Sequence, residues 1–302
     1  MSIAEMTEKQ ARTYLEDLLW KGVPTCPHCG HRKATKVDGD STRDGLYACS
    51  KCRKPFTVTV NTIMHRSKLP IKTWLMAFYM VCSSKKGISA LQLQRQLGIG
   101  SYRTAWMLVN KIRKAMEVNP EFCKLFGYIE ADETYFRESH KGDRHLDRKP
   151  RKRGGKASQR GLSKEQIPVL IARDRDGHTT DAVLDSANTE EISRVISPLI
   201  DNDVLLCSDG SRIYQAFAKM KNLTHKIINA SAGEYIKEGA YHIQNVNAYD
   251  SRLKNWMRHF NGISTKYLES YLGWMRMLDR ESDLTPQKVL AMSVHRINGV
   301  YT

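Results

Sequence analysis

The chain has 302 residues, 41% of them apolar and 26% charged, which describes a folded polypeptide long enough for two or three domains. A formal net charge of +16 and a pI near 9.5 point to a polyanionic partner, and nucleic acid is the commonest. No apolar run approaches the roughly 20 residues of a membrane span, and the first twenty positions are too charged for a signal peptide. A cytoplasmic protein with no membrane partner is expected.

Residues 1–20 set Ala4, Tyr14, Leu15, Leu18, Leu19 and Trp20 among charges, as a short amphipathic helix does. Residues 21–62 carry Cys26-Pro27-His28-Cys29 and, after nineteen intervening positions, Cys49-Ser50-Lys51-Cys52. Each Cys-x-x-Cys knuckle can place two thiolates on one metal, and two knuckles complete a tetrahedral sulfur shell. The expectation is a zinc ribbon, with structural zinc on Cys26, Cys29, Cys49 and Cys52 and short strands within 33–48 and 56–60. Four thiolates leave no need for His28 or His31. Cys82, Cys123 and Cys207 lie in apolar surroundings and read as small core residues, and an odd total argues against disulfides.

Residues 68–118 turn helical. Trp74, Leu75, Phe78, Tyr79 and Cys82 recur at helical spacing, then Ile88, Leu91, Leu93 and Leu97. After a break at Gly98-Ile99-Gly100 come Ala105, Leu108, Val109, Ile112 and Met116. Two helices about a glycine turn read as a helix-turn-helix, with Ser101, Tyr102 and Arg103 opening the DNA-contacting second helix. A plain helical hairpin has the same pattern.

The stretch from Tyr128 to Phe136 runs from an apolar approach through Glu130, Asp132 and Glu133 into Thr134, Tyr135 and Phe136. That suits a strand whose middle carries an acid within reach of a ligand. A loop at 137–164 follows, with eleven Lys or Arg against three acids, densest at Arg151, Lys152 and Arg153. Its composition predicts a mobile, phosphate-gripping segment.

Strand patterns return at 167–173 and 179–184 about Asp176-Gly177, and a helix follows over about 189–200 with Asn188 or Thr189 as its cap. The apolar run 203–207 ends in Ser208-Asp209-Gly210, which sets a second acid at a strand end. A helix at 213–220 and a strand at 226–228 lead to the clearest helix, 243–260. Val246, Tyr249, Leu253, Trp256 and Phe260 line one of its faces, while Asn247, Asp250, Lys254 and Arg258 line the next. The tail, 263–302, reads as two packing helices around a break at 284–286.

Taken together, several stretches resemble one family closely: the bacterial insertion-sequence transposases of the ISXO-like group. They are the four-cysteine ribbon, Phe56-Thr57-Val58-Thr59, Lys85-Lys86-Gly87-Ile88-Ser89-Ala90, Thr104-Ala105-Trp106, Asp132-Glu133-Thr134-Tyr135 and Asn247 through Lys254. The resemblance implies an α/β RNase H-like catalytic core over 125–262, a mixed sheet with flanking helices. It also implies Mg- or Mn-dependent cleavage and strand transfer on double-stranded DNA, by a homodimer or higher oligomer associated with the nucleoid. Asp132 and Asp209 would be metal ligands and Lys254 a phosphate contact, with His242 matching a family histidine.

By the same resemblance Asn247 would stand at the third metal position, where many relatives carry Glu. An amide oxygen can ligate Mg²⁺, but it adds no negative charge and cannot act as a base. Asp250 or Glu133 could supply the missing carboxylate. Three rivals stay open: an inactive transposase-derived DNA-binding protein, a metal-dependent nuclease that cuts without joining, and a zinc-ribbon transcription factor.

Overall fold

The computed structural model describes residues 3–117, 124–146, 148–151, 154–155, 157–159, 161–280, 287, 290 and 291. Two compact units result, residues 1–116 with 281–302, and residues 117–280.

The first unit opens on helix α1 (Glu8–Trp20), started by a capping box in which Thr7 and Gln10 each bond the other's backbone N–H. Trp20, at its end, meets Tyr47 and Phe56 edge-on at 5.0 and 5.9 Å between ring centroids. These rings close the small core of a three-stranded antiparallel ribbon, β1 (Ala34–Lys36), β2 (Tyr47–Cys49) and β3 (Pro55–Phe56). The last strand is shorter than the pattern predicts. Val60 N–H bonds back to the Thr57 carbonyl, so the chain turns away after Phe56 instead of extending the ladder.

Helices α2 (Ile71–Ser83), α3 (Ala90–Gln96) and α4 (Tyr102–Glu117) complete this unit. Pro70 offers α2 no side-chain cap, and the Glu8 carboxylate accepts from Ile71 and Lys72 N–H instead, at 2.7 and 3.1 Å. Gly98, at φ +62°, makes the left-handed turn between α3 and α4 that other residues resist. Trp74, Phe78, Leu93, Leu108 and Ile112 are buried as the spacing predicts. Tyr79 and Leu91 are not: Tyr79 lies on the exposed side of α2, and the short α3 turns one apolar residue inward, Leu93. Cys82 is only partly buried, whereas Cys207 is core; Cys123 lies outside the described residues.

The second unit is a mixed five-stranded sheet. Its strands are β4 (Tyr128–Arg137), β5 (Gln166–Asp174), β6 (Thr179–Val183), β7 (Leu205–Ser208) and β8 (Thr224–Ile227), in spatial order β6-β5-β4-β7-β8. The first three are antiparallel neighbours, while β7 runs parallel to β4 and β8 parallel to β7. Val169 to Ala172 in β5 form the unbroken buried run of a strand covered on both faces.

On one face Ile129, Ala131, Leu170 and Leu206 pack under α5 (Thr189–Ile196) and α6 (Arg212–Lys221). The expected helix to residue 200 tightens to a 3-10 turn after Ile196, since Pro198 lacks an N–H. The other face takes α7 (Gln244–Arg258) and α8 (Leu268–Asp279). Val246, Tyr249, Leu253 and Trp256 of α7 point inward, and Tyr249 donates to Asp181 of β6 at 2.6 Å. This is the mixed sheet with flanking helices that the sequence predicts. The second tail helix falls almost wholly outside the described residues.

Candidate metal centre and active site

In the ribbon, the two knuckles bring all four thiols together. Cys26 Sγ lies 3.7 Å from Cys52 Sγ and Cys29 Sγ 3.6 Å from Cys49 Sγ, and the four atoms lie within 4.8 Å of one another. Tetrahedral zinc with bonds of about 2.3 Å requires sulfurs about 3.8 Å apart, so the geometry fits the ion. Backbone N–H groups of Cys52 and Lys51 hold the Cys49 thiol down to about 6, so the loop already favours a thiolate. No open coordination position remains, which makes the zinc structural.

The acids of the sheet are assembled from distant segments. Ala131 and Ser208 are partners in the parallel β4–β7 pair, so Asp132 and Asp209 leave neighbouring strands at one level. Burial first, and the Asp209 charge second, push the Asp132 carboxyl up to about 6; Asp250 adds to this and Lys254 opposes it. Glu133 turns to the other face, towards Tyr214 of α6, and is pushed up to about 7 by burial and by the charges of Asp132 and Asp209. Among the described residues, the carboxylate oxygens Glu133 Oε1 and Asp250 Oδ1 are cut off from solvent with no hydrogen-bond partner. The two orphaned oxygens lie on opposite faces of the sheet, and among the described residues the four thiols are the one group of three or more potential ligands drawn together.

Helix α7 brings the remaining candidates. Asp250 and Lys254 pair at 2.8 Å, and both act on Asp132. Asn247, one turn before Asp250 on the same side, is exposed. Thus Asp132, Asp209, Asp250 and Lys254 share one electrostatic environment.

What sets the helix at that height is a residue whose role the sequence pattern does not reveal. Glu130 is fully buried two positions before Asp132, on the same face of β4. Its carboxylate accepts from Asn245 N–H at 2.7 Å, Val246 N–H at 3.0 Å and the Asn245 side chain at 2.9 Å, all in the first turn of α7. Arg175 Nη1 approaches at 2.9 Å and His242 Nδ1 at 3.3 Å. His242 therefore serves this network. At the other end of α7, Lys141 Nζ donates to the carbonyls of Phe260, Asn261 and Gly262. An anion at the helix N-terminus and a cation at the C-terminus both complement the helix dipole, and both come from β4 or just beyond it.

The candidate DNA contacts divide. Ser101, Tyr102 and Arg103 are all exposed at the start of α4. Arg151 is held by Glu138, while Lys152 and Arg153 lie outside the described residues. The described part of the loop is more tied down than its composition predicts. Arg137 is the last residue of β4, and its guanidinium bonds the Gly155 carbonyl. None of the described helices is long and apolar enough to cross a membrane.

A four-thiol ribbon and an acid-bearing mixed sheet together define a zinc-ribbon protein with an α/β core. Residues 124–276 match the ISXO2-like transposase domain, and residues 6–55 match the transposase zinc-ribbon domain. The chain belongs to the ISXO2-like transposases. No curated protein matches it. Among solved structures, the Mos1 strand transfer complex is similar at 12% identity and a TM-score of 0.22, over 68% of this chain and 75% of that one. A pre-cleavage Mos1 transpososome is similar at 11% and 0.23, over 96% and 94%. The Mos1 mariner paired end complex with Mn is similar at 13% and 0.22, over 92% and 91%. At such scores the overlap is too slight to argue from.

Proposed function

We propose that the protein is a DNA transposase that cuts and joins strands at the ends of an insertion sequence. The core is read as RNase H-like, which the β6-β5-β4-β7-β8 order with its antiparallel and parallel halves supports. Asp132 and Asp209 are the proposed ligands of a divalent cation, Mg²⁺ or Mn²⁺, with the Asn247 amide as a third, neutral one. The observation that carries the reading is the register that sets Asp132 beside Asp209, with the Asp132 carboxyl raised by burial and by that neighbour.

A bound divalent cation supplies Lewis-acid activation of a water or a DNA 3′-hydroxyl and neutralises charge at the phosphate. The chain's own residues provide the rest. Asp132 and Asp209 offer hard oxygen donors, and the β4–β7 pairing fixes their spacing. Lys254, which pairs with Asp250, would exchange that carboxylate for a DNA phosphate. The net charge of +16 attracts the polyanion. The ribbon and the α3–α4 pair, read as a helix-turn-helix led by Ser101, Tyr102 and Arg103, recognise the element ends. A dimer would hold two ends at once.

The test is a strand-transfer assay with purified protein, Mg²⁺ and a mini-transposon carrying the element's ends. Wild-type protein should nick and join, and Asp132→Ala should lower the rate by roughly two to three orders of magnitude while still binding the ends. Binding without nicking in the wild type would favour an inactive descendant, consistent with the uncharged, exposed Asn247. Nicking without joining would favour a nuclease. Equal nicking by Asp132→Ala would remove Asp132 from the site.

A further inference from the structure

The segment after β4 folds over a cavity of about 470 Å³ that the proposed chemistry does not use. Phe136, Met257 and Leu268 form part of its apolar wall, and Arg137, His140, Arg148 and Arg151 stand around it. Glu138 is the one acid among the lining residues described, and it is shared too widely. Its carboxylate lies 3.2 Å from His140 Nε2, 3.5 Å from Arg151 Nη2 and 4.0 Å from Arg148 Nη2.

Donors outnumber acceptors here. Among the described residues, the Nε–H groups of Arg137 and Arg148 are both cut off from solvent and have no acceptor. A buried donor left unpaired carries a desolvation penalty, so two around one cavity mark a missing anion. A guanidinium fork fits a tetrahedral oxyanion with two free oxygens as well as a carboxylate. The volume exceeds what one phosphate group needs, and the apolar wall suits the sugar attached to it.

We infer that this cavity binds a backbone phosphate of DNA, and that Glu138 occupies the arginines when DNA is absent. The inference rests on the reading of DNA as substrate. It adds a second point of attachment, separate from the acids, at which DNA displaces an internal carboxylate. Arg148 and Arg151 then exchange Glu138 for phosphate oxygens, and the orphaned Nε–H groups gain acceptors.

The experiment measures binding of the full-length protein to a duplex of arbitrary sequence across a salt series. Glu138→Gln should bind several-fold tighter near physiological salt, because the competing charge is gone. Arg151→Ala should weaken binding and flatten the plot of log affinity against log salt by about one unit of slope, the mark of one lost phosphate contact. Asp143→Asn is the control, since it removes an exposed charge from the same segment, with 54% of its side chain accessible. If Asp143→Asn tightens binding as much as Glu138→Gln, the effect is general charge and the displacement is disproved. Unchanged binding in Glu138→Gln, with melting temperature retained, disproves it as well.

Inorganic phosphate at constant ionic strength distinguishes the source. Millimolar binding of free phosphate by Glu138→Gln without any gain on DNA would overturn the nucleic-acid assignment. Because none of these measurements needs catalysis, they can succeed where strand transfer fails, or fail where it succeeds.

Discussion

The thiols of the ribbon and the acids of the sheet are both donor sets, but the chain builds them in opposite ways. All four cysteines sit in two knuckles, and each sulfur is positioned by turns only a few residues long. The acids come from β4, from the residue after β7 and from α7, and tertiary structure alone brings them near one another. The ribbon without its metal loses most of what folds it, since its apolar core is little more than Trp20, Tyr47 and Phe56. The sheet without a metal keeps a large core and instead carries the cost of crowded carboxylates. Metal should therefore create one site and only relieve the other.

Stripping zinc, or replacing Cys49 by Ser, is the strongest challenge to this contrast. Structural zinc in small modules contributes on the order of 10 kcal/mol to folding. Amides of β1 to β3 should lose their hydrogen-exchange protection, while those of β4, β5 and β7 keep theirs. Retained protection in a zinc-free ribbon would mean that the aromatic cluster suffices, and the contrast would collapse.

Next in size is Glu130→Ala. The change leaves Arg175 and the first N–H groups of α7 without their shared acceptor, in a site with no solvent access for the carboxylate. Removing one partner from a buried ionic network costs about 3–5 kcal/mol. For a unit of this size that lowers the melting temperature by about 10 °C. Strand transfer should fall with it, because α7 carries Asn247 and Lys254. An unchanged melting temperature would show that Tyr249, Asp181 and the apolar face hold α7 without help.

These cases also show what was legible in the sequence. Cysteine spacing alone specifies the ribbon, because the ligands and the turns that aim them occupy the same few residues. Asp132 and Asp209 could be singled out from strand patterns, element order and a resemblance, since each ends or interrupts an apolar run. Glu130 could not be told from a ligand. Its period-two relation to Asp132 was visible, but its partners lie 115 positions further on in a helix whose docking no local pattern states. The basic loop misled in a similar way. Composition correctly reports its charge, but not that Lys141 is committed to the end of α7 or Arg151 to Glu138.

The smallest effect expected is the most specific to the acid site. In the folded protein the Asp132 carboxyl rises from an ordinary 3.8 to about 6, and Glu133 from 4.5 to about 7. The folded state thus holds these protons more tightly than the unfolded chain does. Well below pH 4 both states are protonated and neither acid costs anything. As pH rises from there to about 7 the folded state is forced to ionise buried, neighbouring groups, and stability falls by roughly 3 kcal/mol for each acid. Asp132→Asn should therefore stabilise the protein at pH 7.5 and have little effect at pH 4, in zinc-replete, magnesium-free buffer. Urea midpoints of wild type and variant at the two pH values isolate Asp132 together with its effect on Glu133, since acids that do not feel Asp132 cancel in the difference. Saturating Mg²⁺ should remove the wild-type penalty at pH 7.5 by supplying the charge that the acids lack, and leave the variant less affected. Equal midpoint differences at both pH values would mean that Asp132 is not strained by its neighbours, and that no cation is needed to relieve it.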